Sequence, residues 1–218
     1  MNDTADQPQL NFQEASFLLS AAKLSQLPKD EGFEVAFIGR SNAGKSSALN
    51  ELTHQKQLAR VSKTPGRTQL INVFCIDDEH RLIDLPGYGY AKVPTEIKRE
   101  WHPLINQYLR DRHSLHGLIL LMDIRHPMKT MDEQMLDWSA AIPLPVHILL
   151  TKCDKLTRNH GMQALHHVQK ALKVYPDYFT VQLFSAMNHI GVDELKRTIH
   201  HWKYFAYDKK DNDTQQDH

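Results

Sequence analysis

Residues 39–46 constrain the fold of this chain more than any other feature of its sequence. They read Gly-Arg-Ser-Asn-Ala-Gly-Lys-Ser, which fits the pattern of two glycines separated by four residues and followed by Lys and Ser. An apolar run at residues 33–38 precedes them, and a segment with helical spacing follows as far as Leu52. A Gly-rich turn from a buried strand into a helix gathers backbone N–H groups that can bind phosphate. The sequence therefore predicts a phosphate-binding loop inside an α/β domain.

Apolar segments typical of strands alternate with segments of helical spacing along the rest of the chain. Six strands are predicted, at residues 33–38, 69–76, 81–85, 118–122, 146–150 and 179–184. Helices are predicted up to Leu52 and at residues 96–112, 131–140, 162–174 and 192–207, with Pro103 kinking or dividing the second. This alternation predicts a three-layer α/β fold with a mostly parallel six-stranded sheet and helices on both faces. The second and third strands are too close in sequence for a crossover helix, so they form a hairpin that adds one antiparallel edge strand.

The length of 218 residues predicts one compact domain with short terminal segments. Residues 12–27 have helical apolar spacing, and we expect a short helix or an extended segment that packs on the domain edge. The predicted division is residues 1–30 for an N-terminal extension, 31–207 for the domain and 208–218 for a disordered polar tail. The longest purely apolar run is five residues, so we expect a cytoplasmic protein without membrane association.

Charge, cysteines and histidines narrow the classes of function further. The formal net charge of zero argues against tight nucleic-acid binding by bulk electrostatics and leaves a local basic patch open. Cys75 and Cys153 cannot form a disulfide framework, and we expect buried free thiols. The fourteen histidines include adjacent pairs, which make poor ligand pairs on a helix, so solvated or packed histidines are favoured over a metal site.

Two further segments are predicted to lie beside the phosphate groups. Residues 84–87 read Asp-Leu-Pro-Gly and end the third strand, where Asp84 can hold a water of Mg²⁺ and the Gly87 amide can approach a γ-phosphate. The alternative is a strand end capped by an Asp. Residues 64–68 read Thr-Pro-Gly-Arg-Thr, and Thr68 can complete Mg²⁺ coordination when a γ-phosphate is bound. This segment is equally compatible with a turn that happens to contain a threonine.

Residues 151–154, which read Thr-Lys-Cys-Asp after a buried strand, favour guanine over adenine. Asp154 can accept hydrogen bonds from the N1–H and the N2 amine of guanine, whereas adenine would leave the carboxylate desolvated and unpaired. Lys152 can lie along the purine ring, and Thr151 stands where many GTPases have Asn. Residues 184–186, Phe-Ser-Ala, end the last strand and can place a backbone N–H near guanine O6. All these segments follow the carboxyl ends of strands, where ligands bind in open α/β sheets.

Together these segments resemble the EngB (YihA/YsxC) bacterial GTPases of the TrmE-Era-EngA-EngB-Septin-like superfamily. The resemblance spans about residues 15–205 and includes the more specific Gly-Tyr-Gly-Tyr at residues 87–90. It implies a Ras-like G domain, GTP and GDP as ligands, Mg²⁺, and a role in large ribosomal subunit assembly and in cell division and septation. We also expect a monomer. Carried over by position, the nucleotide contacts are Gly39, Arg40, Ser41, Asn42, Ala43, Gly44, Lys45, Ser46, Gly66, Arg67, Thr68, Gln69, Leu70, Asp84, Leu85, Pro86, Gly87, Thr151, Lys152, Cys153, Asp154, Phe184, Ser185 and Ala186. Ser46 and Thr68 are the implied metal ligands.

No residue is assigned as the catalyst of hydrolysis, although Lys45, Thr68 and Gly87 are candidates. The residue that orients the attacking water is often a Gln directly after Asp-x-x-Gly, and here Tyr88 has that place. We therefore expect slow hydrolysis until a partner, such as a large-subunit precursor, completes the site. Arg40 and Arg67 can supply charge to the site or be solvated.

Two other functions are compatible with the sequence. One is a guanine-nucleotide-dependent interaction module that does not hydrolyse GTP. The other is an ATPase or small-molecule kinase, which Asp154 disfavours. Asn42 leaves a further question open, because an Asn at the fourth position of the loop can bind K⁺ beside the bridge between the β- and γ-phosphates or can satisfy backbone donors.

Overall fold

A computed structural model describes residues 9–59, 70–88 and 103–214, with side chains as far as residue 204. The strands are β1 (Ser16–Ala21), β2 (Phe33–Gly39), β3 (Ile71–Cys75), β4 (His80–Asp84), β5 (Leu115–Asp123), β6 (Val146–Thr151) and β7 (Phe179–Leu183). The α-helices are α1 (Lys45–Leu52), α2 (Pro103–Asp111), α3 (Thr130–Ala141), α4 (Arg158–Ala171) and α5 (Val192–Thr214). Short 3₁₀ helices lie at Phe12–Glu14, Leu24–Gln26, Cys153–Lys155 and Leu172–Val174.

The described strands form one sheet in the order β1-β3-β4-β2-β5-β6-β7. The five strands from β4 to β7 in that order are parallel, while β3 is antiparallel to both of its neighbours, β4 and β1. The predicted fold class and the hairpin between the second and third predicted strands are confirmed. The strand count was wrong, because the sheet has seven strands rather than six, and the antiparallel strand β3 lies one position inside the edge.

The seventh strand comes from the segment that has helical apolar spacing. Residues 16–21 pair along β3, with a register shift between Phe17 and Leu19. Phe17 and Leu18 remain 55% and 48% exposed, so the apolar spacing is not used to bury one face of a helix. Pairing instead satisfies the outer backbone groups of β3, which would otherwise form an open sheet edge. Backbone pairing at long range therefore outweighs the local spacing.

Helices cover both faces of the sheet, as expected for a largely parallel sheet. One apolar cluster joins α2, α3 and α4 to the face that carries Ile38, Ile83 and Leu120. The second cluster joins α1 and α5 to the opposite face, together with Phe12 from the N-terminal segment. The result is the three-layer arrangement predicted from the alternation of elements.

The ends of the helices show how local sequence and structure agree or differ. The described part of α2 begins at Pro103, and residues 96–102 of the predicted helix lie outside the described residues, so a kink or division at Pro103 stays a prediction. The last helix extends to Thr214, beyond residue 207 where the predicted domain ends. Cys75 and Cys153 are free and half-buried rather than buried. In the parts of the chain that the structure describes, no helix combines the length and the apolar character that a membrane crossing requires.

Candidate nucleotide-binding site

The loop between β2 and α1 has the backbone shape that its sequence predicts. Asn42 and Gly44 have positive φ angles of 64° and 98°. Asn tolerates this left-handed region better than most residues, and Gly enters it without a Cβ penalty. The chain then turns directly into α1 at Lys45, so the unpaired N–H groups of the first helical turn point back into the loop. This geometry suits a bound phosphate.

Lys45 and Asp84 bring the loop and the end of β4 together. The Lys45 ammonium forms a half-buried ion pair and hydrogen bond with Asp84 Oδ1. Asp84 therefore lies beside the first turn of α1, which also contains Ser46. A serine hydroxyl and an aspartate carboxylate are the hard oxygen ligands that Mg²⁺ accepts, usually through one or two protein groups with phosphates and water completing the shell. The residues present thus fit the metal that the sequence resemblance implies.

The segment after Asp84 pairs with the phosphate-binding loop along its backbone. Tyr88 N–H donates to Gly39 O at 3.2 Å, and Ser41 N–H donates to Tyr88 O at 3.0 Å. A Cβ added to Gly87 would lie 3.2 Å from the same Gly39 oxygen, so only glycine fits this approach without displacing the loop. The predicted neighbourhood of residues 84–87 and the loop is present in the structure.

The side chain of Tyr88 turns away from the loop and into the core. Its hydroxyl donates to Asp132 Oδ1 on α3 at 2.5 Å, and Lys129 N–H donates to Asp132 Oδ2 at 3.0 Å. Burial raises the pKa of Tyr88 well above its usual range, and burial likewise raises the pKa of Asp132. Sequence reasoning missed Asp132, because nothing in the local pattern of α3 connects it with Tyr88.

Thr151 connects residues 151–154, the predicted guanine-binding segment, to the phosphate-binding loop. Its hydroxyl shares one hydrogen between Ala43 O at 2.6 Å and Met122 O at 3.1 Å. The first contact ties the end of β6 to the loop, and the second ties it to β5. Thr151 thus forms a short polar link between β6 and the loop at the position where many GTPases carry Asn.

Lys152 reaches across the same gap from a left-handed backbone position. Its ammonium donates to Asn42 O at 2.7 Å and to Asp123 Oδ2 at 2.9 Å, so its aliphatic chain spans from the predicted guanine-binding segment to the loop. Asp123 also pairs with Arg125 at 2.6 Å. The hydrogen bond from Arg125, followed by that from Lys152, holds the pKa of Asp123 well below its usual range. Asp123 was missed, although its place at the carboxyl end of β5 is the signal that identifies the other site residues.

Asp154 is held by one neighbour on each carboxylate oxygen. Ser185 Oγ donates to Asp154 Oδ1 at 2.6 Å, and Lys155 pairs with Oδ2 at 3.0 Å. The Ser185 hydrogen bond, with that from Lys155, lowers the pKa of Asp154. The carboxylate is therefore ionised and oriented at neutral pH, as an acceptor of two guanine hydrogens must be.

The segment after β7 completes the wall opposite the loop. Ser185 and Ile190 exchange two backbone hydrogen bonds of 3.0 Å, which close a tight turn. Cys153 N–H donates to Phe184 O at 3.2 Å, which joins this turn to the segment of residues 151–154. A cavity of about 690 Å³ lies between the turn and α1, and Gly44, Thr151, Lys152, Asp154 and Ala186 line it. Four sequence motifs thus meet at one edge of the sheet.

Four predicted contacts, Gly66, Arg67, Thr68 and Gln69, lie outside the described residues. Leu70 is described, and it is half-buried directly before β3. The roles of these five residues, including Thr68 as a metal ligand, stay predictions.

The comparisons with known proteins agree with this arrangement. A family model described as a 50S ribosome-binding GTPase matches residues 34–152. The probable GTP-binding protein EngB of Coxiella burnetii is 53% identical over 191 residues, which cover 88% of this chain and 93% of that protein. The protein of the same name from Mannheimia succiniciproducens is 51% identical over 193 residues, covering 88% and 94%. The chain belongs to the EngB family of GTPases.

Solved structures show the same fold for the EngB chain at lower sequence identity. A crystal structure of a probable GTP-binding protein EngB superposes with a TM-score of 0.61 at 20% identity, covering 78% of this chain and 98% of that one. Era from Aquifex aeolicus, bound to GDP and aluminium fluoride, gives 0.60 at 22% identity, covering 79% and 57%. The fold is that of a Ras-like G domain, and with the family established the protein is a GTP-binding GTPase.

Proposed function

We propose that this EngB protein binds GTP and GDP with Mg²⁺ at the described edge of the sheet and hydrolyses GTP slowly to GDP and phosphate. The observation that carries the proposal is the position of Asp154 in a cavity of about 690 Å³ that also contains Gly44 of the phosphate loop. A nucleotide whose base is bound by Asp154 would then have its phosphates at the start of α1. Ala186 lies in the same wall and can direct its backbone N–H to guanine O6.

The chain's own groups would bind and orient the triphosphate. Backbone N–H groups of the loop and the Lys45 ammonium stabilise negative charge on the β- and γ-phosphates. Ser46 and, on the other side, Asp84 would hold Mg²⁺ directly or through a water, with Thr68 as the further proposed ligand. Held there, Mg²⁺ would supply positive charge that stabilises the negative charge developing on the phosphate groups during hydrolysis.

Slow hydrolysis is proposed because the side chain after Gly87 is engaged elsewhere. The Tyr88 hydroxyl donates to Asp132, and its ring is 6% exposed, so it has no free group to orient a water. An amide at this position would orient the attacking water in many related enzymes. A partner then supplies the group that orients the attacking water.

Phosphate release separates the GTPase from its nearest alternative, an interaction module that binds GTP without hydrolysing it. We expect multiple turnovers at a low basal rate and a higher rate with large-subunit precursor particles. Binding without any release of phosphate, with or without particles, would support the interaction module. Competition between GTP and ATP for the site tests the remaining alternative, since an ATPase or kinase would prefer ATP.

The cellular role rests on the family. The matching family model is described as a 50S ribosome-binding GTPase, which supports a large ribosomal subunit or its precursor as the partner of this chain. We propose a nucleotide-dependent switch in large-subunit assembly, required for normal cell division and septation, in a cytoplasmic monomer. Co-sedimentation with large-subunit precursors in the presence of a non-hydrolysable GTP analogue, and its loss with GDP, is the expected result. Equal co-sedimentation with both nucleotides contradicts a switch.

Potassium is a further proposed cofactor of the same site. Asn42 is exposed, and Lys152 donates to its backbone carbonyl oxygen, a contact that does not use the side-chain amide. We expect faster hydrolysis in K⁺ than in Na⁺ at matched ionic strength, and Asn42→Ala should remove the difference. Equal rates in the two salts would leave Asn42 with a backbone role only.

A further inference from the structure

Three polar residues lie in one row across the antiparallel end of the sheet. Ser20 on β1 is directly opposite Asn72 on β3, and Asn72 is directly opposite Asp84 on β4. Residues directly opposite on neighbouring strands project from the same face. Leu82, two residues before Asp84, belongs to the apolar cluster under α1 and α5, so the row lies on the α1 side of the sheet. The row thereby connects the carboxylate of Asp84, beside the proposed Mg²⁺ site, to β1.

Two hydrogen bonds join the three residues, and in each the donor lies on the strand nearer to the β1 edge. Asn72 Nδ2 donates to Asp84 Oδ2 at 3.1 Å, and Ser20 Oγ donates to Asn72 Oδ1 at 2.6 Å. An ionised carboxylate only accepts hydrogen bonds, so the Asn72 amide must turn its nitrogen toward Asp84 and its oxygen toward Ser20. The Ser20 hydroxyl donates to the amide oxygen in that orientation and so adds a second contact that restricts rotation of the Asn72 side chain.

The row assigns a separate partner to each oxygen of Asp84. Asn72 occupies Oδ2, while Oδ1 faces the Lys45 ammonium at the phosphate loop. Rotation of the carboxylate about its last bond would break both contacts. Polar groups that hold a ligating side chain in this way typically change metal affinity when they are removed.

We propose that Asn72 is a positioning residue for the Mg²⁺ site, and that Ser20 of the edge strand orients it. This inference rests on the proposed function and assigns to β1, which lies outside the nucleotide motifs, a part in metal binding. Asn72 turns Oδ1 of Asp84 toward the phosphate side without itself touching nucleotide or metal. Loss of the row should weaken Mg²⁺ binding and leave the metal-independent contacts to the nucleotide unchanged.

The test measures release of a fluorescent GDP from the full-length protein while free Mg²⁺ is titrated. For Asn72→Ala we expect an apparent Mg²⁺ affinity about tenfold weaker than that of the parent, as for other supporting residues of metal sites. For Ser20→Ala, which removes only the orienting hydroxyl, we expect an effect of about two- to fivefold, the size of one ordinary hydrogen bond. GDP release in excess EDTA should be the same for all the proteins.

The matched control is Ser16→Ala, the same substitution on the same strand but opposite Cys75 and outside the row. It should reproduce the parent at every Mg²⁺ concentration. If Asn72→Ala released GDP faster by the same factor with and without Mg²⁺, the role of Asn72 would be merely structural and the proposal would be overturned. An apparent Mg²⁺ affinity of Asn72→Ala equal to that of the parent would also overturn it. Should Asn72→Ala fail to fold, Ser20→Ala at the exposed edge decides alone. Failure of the parent to bind GDP would instead overturn the proposed function.

Discussion

Asp154 and Asp123 follow the ends of neighbouring strands, and basic or hydroxyl groups beside them keep both carboxylates ionised. The Ser185 hydrogen bond lowers the pKa of Asp154, and the Arg125 hydrogen bond lowers that of Asp123. They differ in position, because Asp123 pairs with Arg125 and Lys152, whereas Asp154 lies in the wall of the cavity. At the scale of the residue, Asp154 is therefore the carboxylate of this pair that the proposed recognition of guanine uses.

Asp154→Asn should change the base specificity of the protein from guanine to xanthine. The new amide N–H₂ would face the N2 amine of guanine, and an unsatisfied buried donor costs about 1–3 kcal/mol. We expect about ten- to a hundredfold weaker GTP binding, with a gain of XTP binding because xanthine has a carbonyl oxygen at that place. Fluorescence competition with GTP, XTP and ATP measures both changes. The control is the same substitution at Asp177, an exposed residue that precedes β7 at the opposite end of the sheet. Unchanged GTP binding by Asp154→Asn would refute the guanine assignment.

Tyr88→Phe tests whether the Tyr88 hydroxyl acts in hydrolysis or in packing. Its removal leaves the buried Asp132 carboxyl with one donor fewer, so we expect the free energy of unfolding to fall by about 1–3 kcal/mol. The basal turnover number should stay close to that of the parent. Tyr108→Phe is the matched control, because the Tyr108 hydroxyl donates to the buried Glu34 at 2.8 Å, at the opposite end of β2. Loss of turnover in Tyr88→Phe alone, under conditions where both variants are folded, would assign the hydroxyl a catalytic role.

Strands β6 and β7 are joined through a buried histidine as well as by their backbones. His147 contacts Thr180 Oγ1 through Nδ1 and Gln182 Oε1 through Nε2, both at 2.7 Å. Gln182 Nε2 then donates to Gly191 O at 2.7 Å, just before α5. Because Gln182 offers an oxygen to Nε2, the neutral ring with its hydrogen on Nε2 suits the site. At the scale of the element, this network aligns β7 with the turn that carries Ser185 and Ala186.

The buried His147 should make the protein less stable in acid. Burial lowers its pKa from 6.5 to about 4 in the folded state. Between these pH values the unfolded chain binds a proton that the folded chain does not, so stability falls as the pH drops from 6.5 to about 4. The contribution is at most about 3.5 kcal/mol, since one pKa unit corresponds to about 1.4 kcal/mol. Urea unfolding at neutral and mildly acidic pH should show a smaller loss for His147→Gln than for the parent. His167→Gln, on the exposed side of α4, should keep the parent's pH dependence. An equal loss in all three proteins would contradict the prediction.

The whole domain is coupled to the nucleotide because the site is assembled from distant parts of the chain. Its described residues run from Gly39 to Ala186 and follow the ends of β2, β4, β6 and β7. Thr151 joins β6 to the phosphate loop over 108 positions, and Asn72 joins β3 to β4 beside the same loop. At the scale of the molecule, a ligand that contacts all these segments stabilises the fold and not a single loop.

GDP with Mg²⁺ should therefore raise the temperature of global unfolding. A ligand present at a hundred times its dissociation constant adds about 2.7 kcal/mol to the free energy of unfolding. For a domain of this size, that corresponds to roughly 5–10 °C in Tm. ATP at the same concentration should give no such shift, and Asp154→Asn should respond to XDP rather than GDP. Differential scanning fluorimetry measures these shifts, and an equal response to ATP and GDP would argue against a guanine site.

Much of the fold and of the site follows from local sequence. Residues 39–46, 84–87, 151–154 and 184–186 each occur directly after an apolar run, and the carboxyl ends of parallel strands meet at one edge. The order of these segments, together with the alternation of strands and helices, is sufficient for the fold class and the family. Local spacing predicts these features because turns, helix starts and buried strands each depend on residues that are close in the chain.

Tertiary structure decided the features that depend on residues far apart. Residues 16–21 become a strand because β3 offers an unpaired edge, although their own spacing is helical. Tyr88 turns inward because α3 presents a buried carboxyl at Asp132. Asn72 reaches Asp84 through the register of β3 and β4, twelve positions away in sequence. A hydrogen bond between distant residues leaves no periodic pattern in either segment, so only the folded chain shows which polar groups meet.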